Sequence, residues 1–224
     1  MDRSCCFGGF LTAVLVYGLA FPGTASAQDI VARDYYLAGS DPAAARTLRN
    51  VERYHYEPAL KYLRSRNYRY AQNDLEFILK YFPNHPQALA KISEIGLAVK
   101  RPDLAEEHFR NAIERYPQRD ETHVIYGTFL HKLGHIDAAI AEYRKALEIN
   151  ASSVYAHYNL GLAYVDRKDY SEANVHAQKA YQLGAGFPAL RRKLQAAGAW
   201  RPLETTSSSP VSPSSSAQQE RKAD

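Results

Sequence analysis

The chain has 224 residues, 46% of them hydrophobic and 23% charged, which excludes a wholly disordered or collagen-like protein. Its formal net charge of +4 is too mild to point to nucleic acid by itself. The only two cysteines, Cys5 and Cys6, precede the first apolar run, whereas a lipidated cysteine would follow it.

Residues 1–27 read as a secretory signal peptide. Arg3 precedes an apolar run from Phe7 to Phe21, then come Pro22-Gly23 and the small residues Ala25-Ser26-Ala27. That run has 15 residues, short of the roughly 20 that span a bilayer. Cleavage before Gln28 leaves a chain without cysteine, disulfide or thiol nucleophile. The expected location is periplasmic or secreted. Residues 28–51 form an N-terminal segment and a capping helix, started by Asp41 as N-cap and Pro42 at the first position.

A repeat of period 34 follows. Ala71, Ala105, Ala139 and Ala173 are each 34 residues apart, and so are Ala59, Ser93, Gly127 and Gly161. Pro83, Pro117, Ala151 and Ala185 keep the same step, as do Ile78, Ala112, Ala146 and Ala180. The repeated region is 52–187, in units 52–85, 86–119, 120–153 and 154–187. Each unit reads as two helices. In the third, Val124, Tyr126, Phe129, Leu130 and Leu133 recur at helical spacing, and Gly134-His135 marks a turn. Ile136, Ala139, Ile140, Tyr143, Ala146 and Leu147 then form a second apolar stripe. The helices of a unit must cross closely, so Gly127 is expected against Ala139 and Gly161 against Ala173. In the first unit Pro58 is expected in the first turn of its helix. Residues 188–203 read as a C-terminal capping helix under which Trp200 packs, and 204–224 as a disordered Ser/Pro-rich tail.

The stretch Ala156-His157-Tyr158-Asn159-Leu160-Gly161-Leu162-Ala163-Tyr164, with Ala173 and Ala180, resembles a tetratricopeptide repeat (TPR). The third unit is similar through Tyr126-Gly127, Leu130, Gly134, Ala139, Tyr143 and Ala146. His55, Leu89, His123 and His157 stand where that family has a tryptophan. The resemblance implies an all-α, right-handed superhelical solenoid of four helix-turn-helix TPR units with N- and C-terminal capping helices. As a whole the chain resembles the small secreted or periplasmic TPR proteins of bacteria.

Enzyme motifs are missing from the sequence. His131 and His135 are four apart, but Gly134 breaks the helix between them and no metal site is expected. Glu106-Glu107 and Asp120-Glu121 are adjacent, so each pair diverges on a helix and reads as first-turn charge. Gly184-Ala185-Gly186 follows a helix rather than opening one. Arg64, Arg66, Tyr68, Arg69 and Tyr70 read as a solvated turn. The expectation is a non-enzymatic chain without cofactor or metal and without nucleic acid.

The resemblance further implies a groove lined by the first helix of each unit, which takes a protein or peptide segment. Its registers hold Arg53, Tyr56 and Leu60, then Gln87, Lys91 and Glu94, then Glu121, Val124, Ile125, Thr128 and His131, and finally Tyr155, Tyr158, Asn159 and Leu162. Tyr155 and Tyr158 are the expected anchors. Some TPR proteins clamp a peptide carboxylate at such positions, but here only Lys91 and Asn159 are of the right type. The expected role is a scaffold or adaptor of the bacterial cell envelope with an envelope protein or peptide as partner. The alternative is a self-assembling structural protein, a homo-oligomer; an enzyme or ligand-binding protein comes third.

Overall fold

The computed structural model describes residues 31–202, and the fold runs from Ala32 onward. The expected signal peptide (1–27) and tail (204–224) lie outside the described residues. Regular structure among the described residues is entirely helical. A 3-10 helix, Tyr35–Ser40, leads to α1 (Pro42–Val51), where the Asp41 side chain accepts the Ala43 N–H at 2.9 Å. Four helix pairs follow: α2 (Glu57–Arg64) with α3 (Tyr68–Tyr81), α4 (Pro86–Ala98) with α5 (Asp103–Arg115), α6 (Asp120–Lys132) with α7 (Ile136–Ile149), and α8 (Val154–Asp166) with α9 (Tyr170–Gln182). The last helix is α10 (Ala189–Ala196). None is long and apolar enough to cross a membrane.

The first repeat departs from expectation. No new helix begins at Pro58; instead α1 runs on through a π-helical segment, Glu52–Tyr56, into α2. Proline lacks an N–H and its ring collides with the carbonyl four residues back. The wider π turn, closed by Glu57 N–H on Glu52 O, sits where that mismatch falls.

The period of 34 is written into the turns. Within each pair the second residue after the first helix adopts positive φ: Arg66 (56°), Lys100 (59°), Gly134 (83°) and Lys168 (66°). The next N–H then reaches five residues back: Asn67 to Tyr62, Arg101 to Gly96, His135 to Leu130 and Asp169 to Tyr164, at 2.8–3.0 Å. This left-handed C-cap satisfies carbonyls that the helix end leaves open.

Gly127 makes room for a side chain rather than for a helix backbone. A methyl group there would lie 2.6 Å from Cε1 of the buried Tyr143 ring. Gly161 does serve close approach: a methyl would meet Leu190 Cδ2 at 2.7 Å and the Ala173 carbonyl at 3.4 Å. Leu190 and Leu194 of α10 are fully buried, so α10 covers the apolar end of the last pair. Trp200 lies against Tyr181, ring centroids 5.9 Å apart, with the Arg191 guanidinium over its ring.

The apolar interior falls into two clusters. One joins α1 through α5 and includes Phe129; the other joins α6 through α10. Phe109 of α5 links them by stacking on Tyr126 (4.8 Å) and Phe129 (5.8 Å) of α6. The first helices α4, α6 and α8 pack on one another directly, whereas successive second helices barely touch. The stack therefore curves toward its first helices, and their open face is the concave one.

Candidate functional site

The concave face divides into two parts of different character. At its N-terminal end Tyr56 and Leu60 are half-buried. The Tyr56 ring lies 6.0 Å from His85, and burial raises its phenol above the ordinary value. His85 is 1% exposed and caps α4, its Nδ1 accepting the Ala88 N–H at 3.2 Å. Nε2 then carries the proton and faces Glu52 Oε1 at 3.3 Å. Burial pushes the His85 imidazole down to about 4. Lys91 bonds both carboxylate oxygens of Glu94 at 2.9 Å, so these two groove residues engage each other.

The segment ahead of α1 docks at this end, a feature without any signal in the repeat registers. The Asp34 carboxylate takes the Arg119 fork at 2.8 and 2.5 Å and the Asn84 amide at 2.7 Å. Arg33 N–H donates to Tyr81 O and Tyr35 N–H to Asn84 Oδ1, both at 2.8 Å. Arg119 also covers the Tyr36 ring at 5.4 Å. Burial, with Glu121 and Asp120 nearby, raises the Tyr36 phenol. Burial and Asp120 likewise raise the Glu121 carboxyl. Asp34 and Arg119 are 85 residues apart, so the contact ties the N-terminal segment across the first two repeats to the turn that leads into the third.

In the third repeat Val124 is 7% exposed and belongs to the core rather than to an open surface. The Thr128 hydroxyl donates to Val124 O at 2.8 Å and accepts from the Tyr143 hydroxyl at 3.3 Å. His131 Nε2 meets Asp166 Oδ2 at 2.9 Å, and Lys193 Nζ donates to Asp166 Oδ1 at 2.7 Å. These contacts join α6, α8 and α10. Burial opposes ionisation of Asp166, but the Lys193 and His131 hydrogen bonds win and hold it below the usual carboxylate range.

The fourth repeat holds the aromatic part. Tyr155 is 60% exposed. Tyr158, expected as a second anchor, is only 8% exposed because Phe187 from the loop after α9 closes over it at 5.2 Å. Phe187 is 41% exposed and also reaches Tyr155 at 5.8 Å. Asn159 and Leu162 complete this part, half-buried.

The histidines of the tryptophan register are structural, and each meets a partner 19 residues on. His55 Nδ1 meets Asp74 at 2.9 Å, His123 Nδ1 meets Glu142 at 2.7 Å, and His157 Nδ1 meets His176 Nδ1 at 2.9 Å. An imidazole in this register fills the aromatic slot and needs a polar partner from the second helix. Burial works against the Glu142 charge, yet hydrogen bonds from His123 and Lys145 prevail and lower its pKa. Among the described residues no group of three or more His, Cys, Asp or Glu could hold a metal ion.

Family models match two stretches: "Tetratricopeptide repeat" over residues 56–120 and "TPR repeat" over 127–174. Among solved structures the chain is similar to Pseudomonas aeruginosa pilF, at 20% identity and TM-score 0.53 over 68% of this chain and 71% of that one. It is also similar to PilW, a widely conserved type IV pilus biogenesis factor, at 26% identity and TM-score 0.52 over 66% and 70%. No protein of curated function matches the sequence. With the turns, small residues and helix pairs recurring every 34 residues, these matches settle the family: the chain is a tetratricopeptide-repeat protein.

Proposed function

We propose that this chain is a non-enzymatic scaffold of the cell envelope that holds a protein segment against the aromatic part of its concave face. The observation that carries this reading is Tyr155, 60% exposed beside the half-open Phe187 ring. Two rings at that spacing offer apolar area and a phenol hydrogen bond to an incoming side chain. Asn159 adds an amide and Leu162 an apolar edge. The carboxylate next to this surface, Asp166, is already ion-paired with Lys193 and hydrogen-bonded to His131. That suits adhesion rather than proton transfer. The envelope location is supported by the signal-peptide character of residues 1–27. It is supported too by the likeness to PilW, a pilus biogenesis factor.

Photo-crosslinking in the native cell tests the proposal. A benzoylphenylalanine at Tyr155 is expected to trap another protein, and the same probe at Lys145, exposed on α7, is expected to trap none. Adducts at Lys145 but not at Tyr155 would contradict the proposal. Adducts only with a second copy of this chain would instead make it a self-assembling protein.

A further inference from the structure

The end of α2, the turn after it and the start of α3 carry Lys61, Arg64, Arg66 and Arg69, all exposed. None of them takes part in the ion pairs of the described residues. At the corresponding turns the arginines are held by acids: Arg101 by Asp103 at 2.6 Å, and Arg167 by Asp137 and Asp169 at 3.2 and 3.1 Å.

One register shows the contrast directly. Arg69, Asp103, Asp137 and Ser171 are 34 residues apart. Asp103 and Asp137 are first-turn acids of α5 and α7, where the positive end of the helix dipole favours negative charge. Arg69 sets a cation in the first turn of α3, against that preference. Nor are the cations needed to cap α2. Arg66 N–H donates to Leu63 O at 3.0 Å, Asn67 N–H to Tyr62 O at 2.8 Å, and Ser65 Oγ to Tyr62 O at 3.0 Å. Tyr70 is 55% exposed beside them, one ring face stacked on Tyr62 at 5.3 Å. Among the described residues the fold pairs none of these cations with an acid, and it leaves the Tyr70 ring exposed.

We propose that this turn is a docking surface for the anionic headgroups of a phospholipid bilayer. A bilayer asks for a flat contact, with cations at phosphate depth and a tyrosine at the headgroup level. The α2–α3 junction supplies four exposed cations and an exposed tyrosine beside them. Heparin and RNA carry the same anionic chemistry without a bilayer interface, so they serve as the controls.

Flotation of the full chain with vesicles tests this. Binding is expected to vesicles of phosphatidylcholine with phosphatidylglycerol, not to phosphatidylcholine alone, and it weakens as salt is added. Arg69→Asp restores the acid of the neighbouring repeats. It is expected to keep or raise the thermal midpoint while lowering vesicle affinity at least about tenfold, since one basic residue contributes about fivefold and the charge changes by two. Failure to bind the anionic vesicles at low salt would overturn the proposal. So would undiminished binding by folded Arg69→Asp, or binding of heparin or RNA with the vesicles ignored.

Discussion

Phe109→Ala is expected to destabilise the protein by about 3–5 kcal/mol and to split its unfolding into two steps. Phe109 is fully buried and forms the aromatic link between the two apolar clusters. The α5–α6 packing around it is the slimmest interface between successive helices of the four repeats. In a linear stack, stability is approximately the sum of each repeat's own stability and its contacts with its neighbours. Weakening the slimmest contact therefore uncouples the halves before it unfolds either. The single tryptophan, Trp200, packs on Tyr181 and reports on the C-terminal half alone, whereas circular dichroism reports on all helices. In denaturant the two signals are expected to coincide for the parent chain and to separate for Phe109→Ala. Coincident transitions with a loss below about 1 kcal/mol would show that the clusters are coupled elsewhere.

Acidification from pH 7 to 5 is the second large effect, an expected loss of about 2–3 kcal/mol after allowing for solvent around His176. The cause is buried neutral imidazole. His157 Nε2–H donates to Ala151 O at 3.1 Å, so its Nδ1 is the acceptor for His176 Nδ1–H. A proton on His157 Nδ1 would set two N–H groups face to face. Burial, His157 and Arg144 press His176 down to about 4 from its ordinary 6.5. Burial and Lys179 lower His157, partly offset by the Ala151 hydrogen bond. Tyr164 stacks on His176 from the first helix, its hydroxyl taken by Arg144 at 2.6 Å. His85, also pushed to about 4, would lose its bond from Ala88 on protonation.

Between pH 6.5 and about 4 the unfolded chain binds these protons and the folded chain does not. Stability is therefore fully present above 6.5 and falls with pH through that window. Thermal midpoints from pH 7 to 5 are expected to drop, and His176→Gln is expected to flatten the slope. An unchanged midpoint would show the histidines to be freely hydrated.

Much of this was legible in the sequence because one geometry recurs. The helix pairs follow from the small residues of the 59/93/127/161 and 71/105/139/173 registers. Gly134 announced the left-handed backbone of its turn, whereas Arg66, Lys100 and Lys168 hid theirs, since such residues rarely take positive φ. The partners of His55, His123 and His157 were hidden for another reason. Asp74, Glu142 and His176 share a register but not a residue type. At the concave face the half-buried Tyr56, Leu60, Asn159 and Leu162 sit on the first-helix segments that carry it. Val124 and Tyr158 are buried, Tyr158 by Phe187, which comes from a loop outside the period. The Asp34–Arg119 contact joins a segment outside the repeats to a turn between them, so no register announces it.

Hydrogen exchange tests most directly that the concave face is the binding surface. The full chain is compared alone and with the protein captured at Tyr155. Slower exchange is predicted in α6, α8 and the loop bearing Phe187, with α5, α7 and α9 unchanged. Slowing confined to α5, α7 and α9 would place the partner on the convex side and contradict the account.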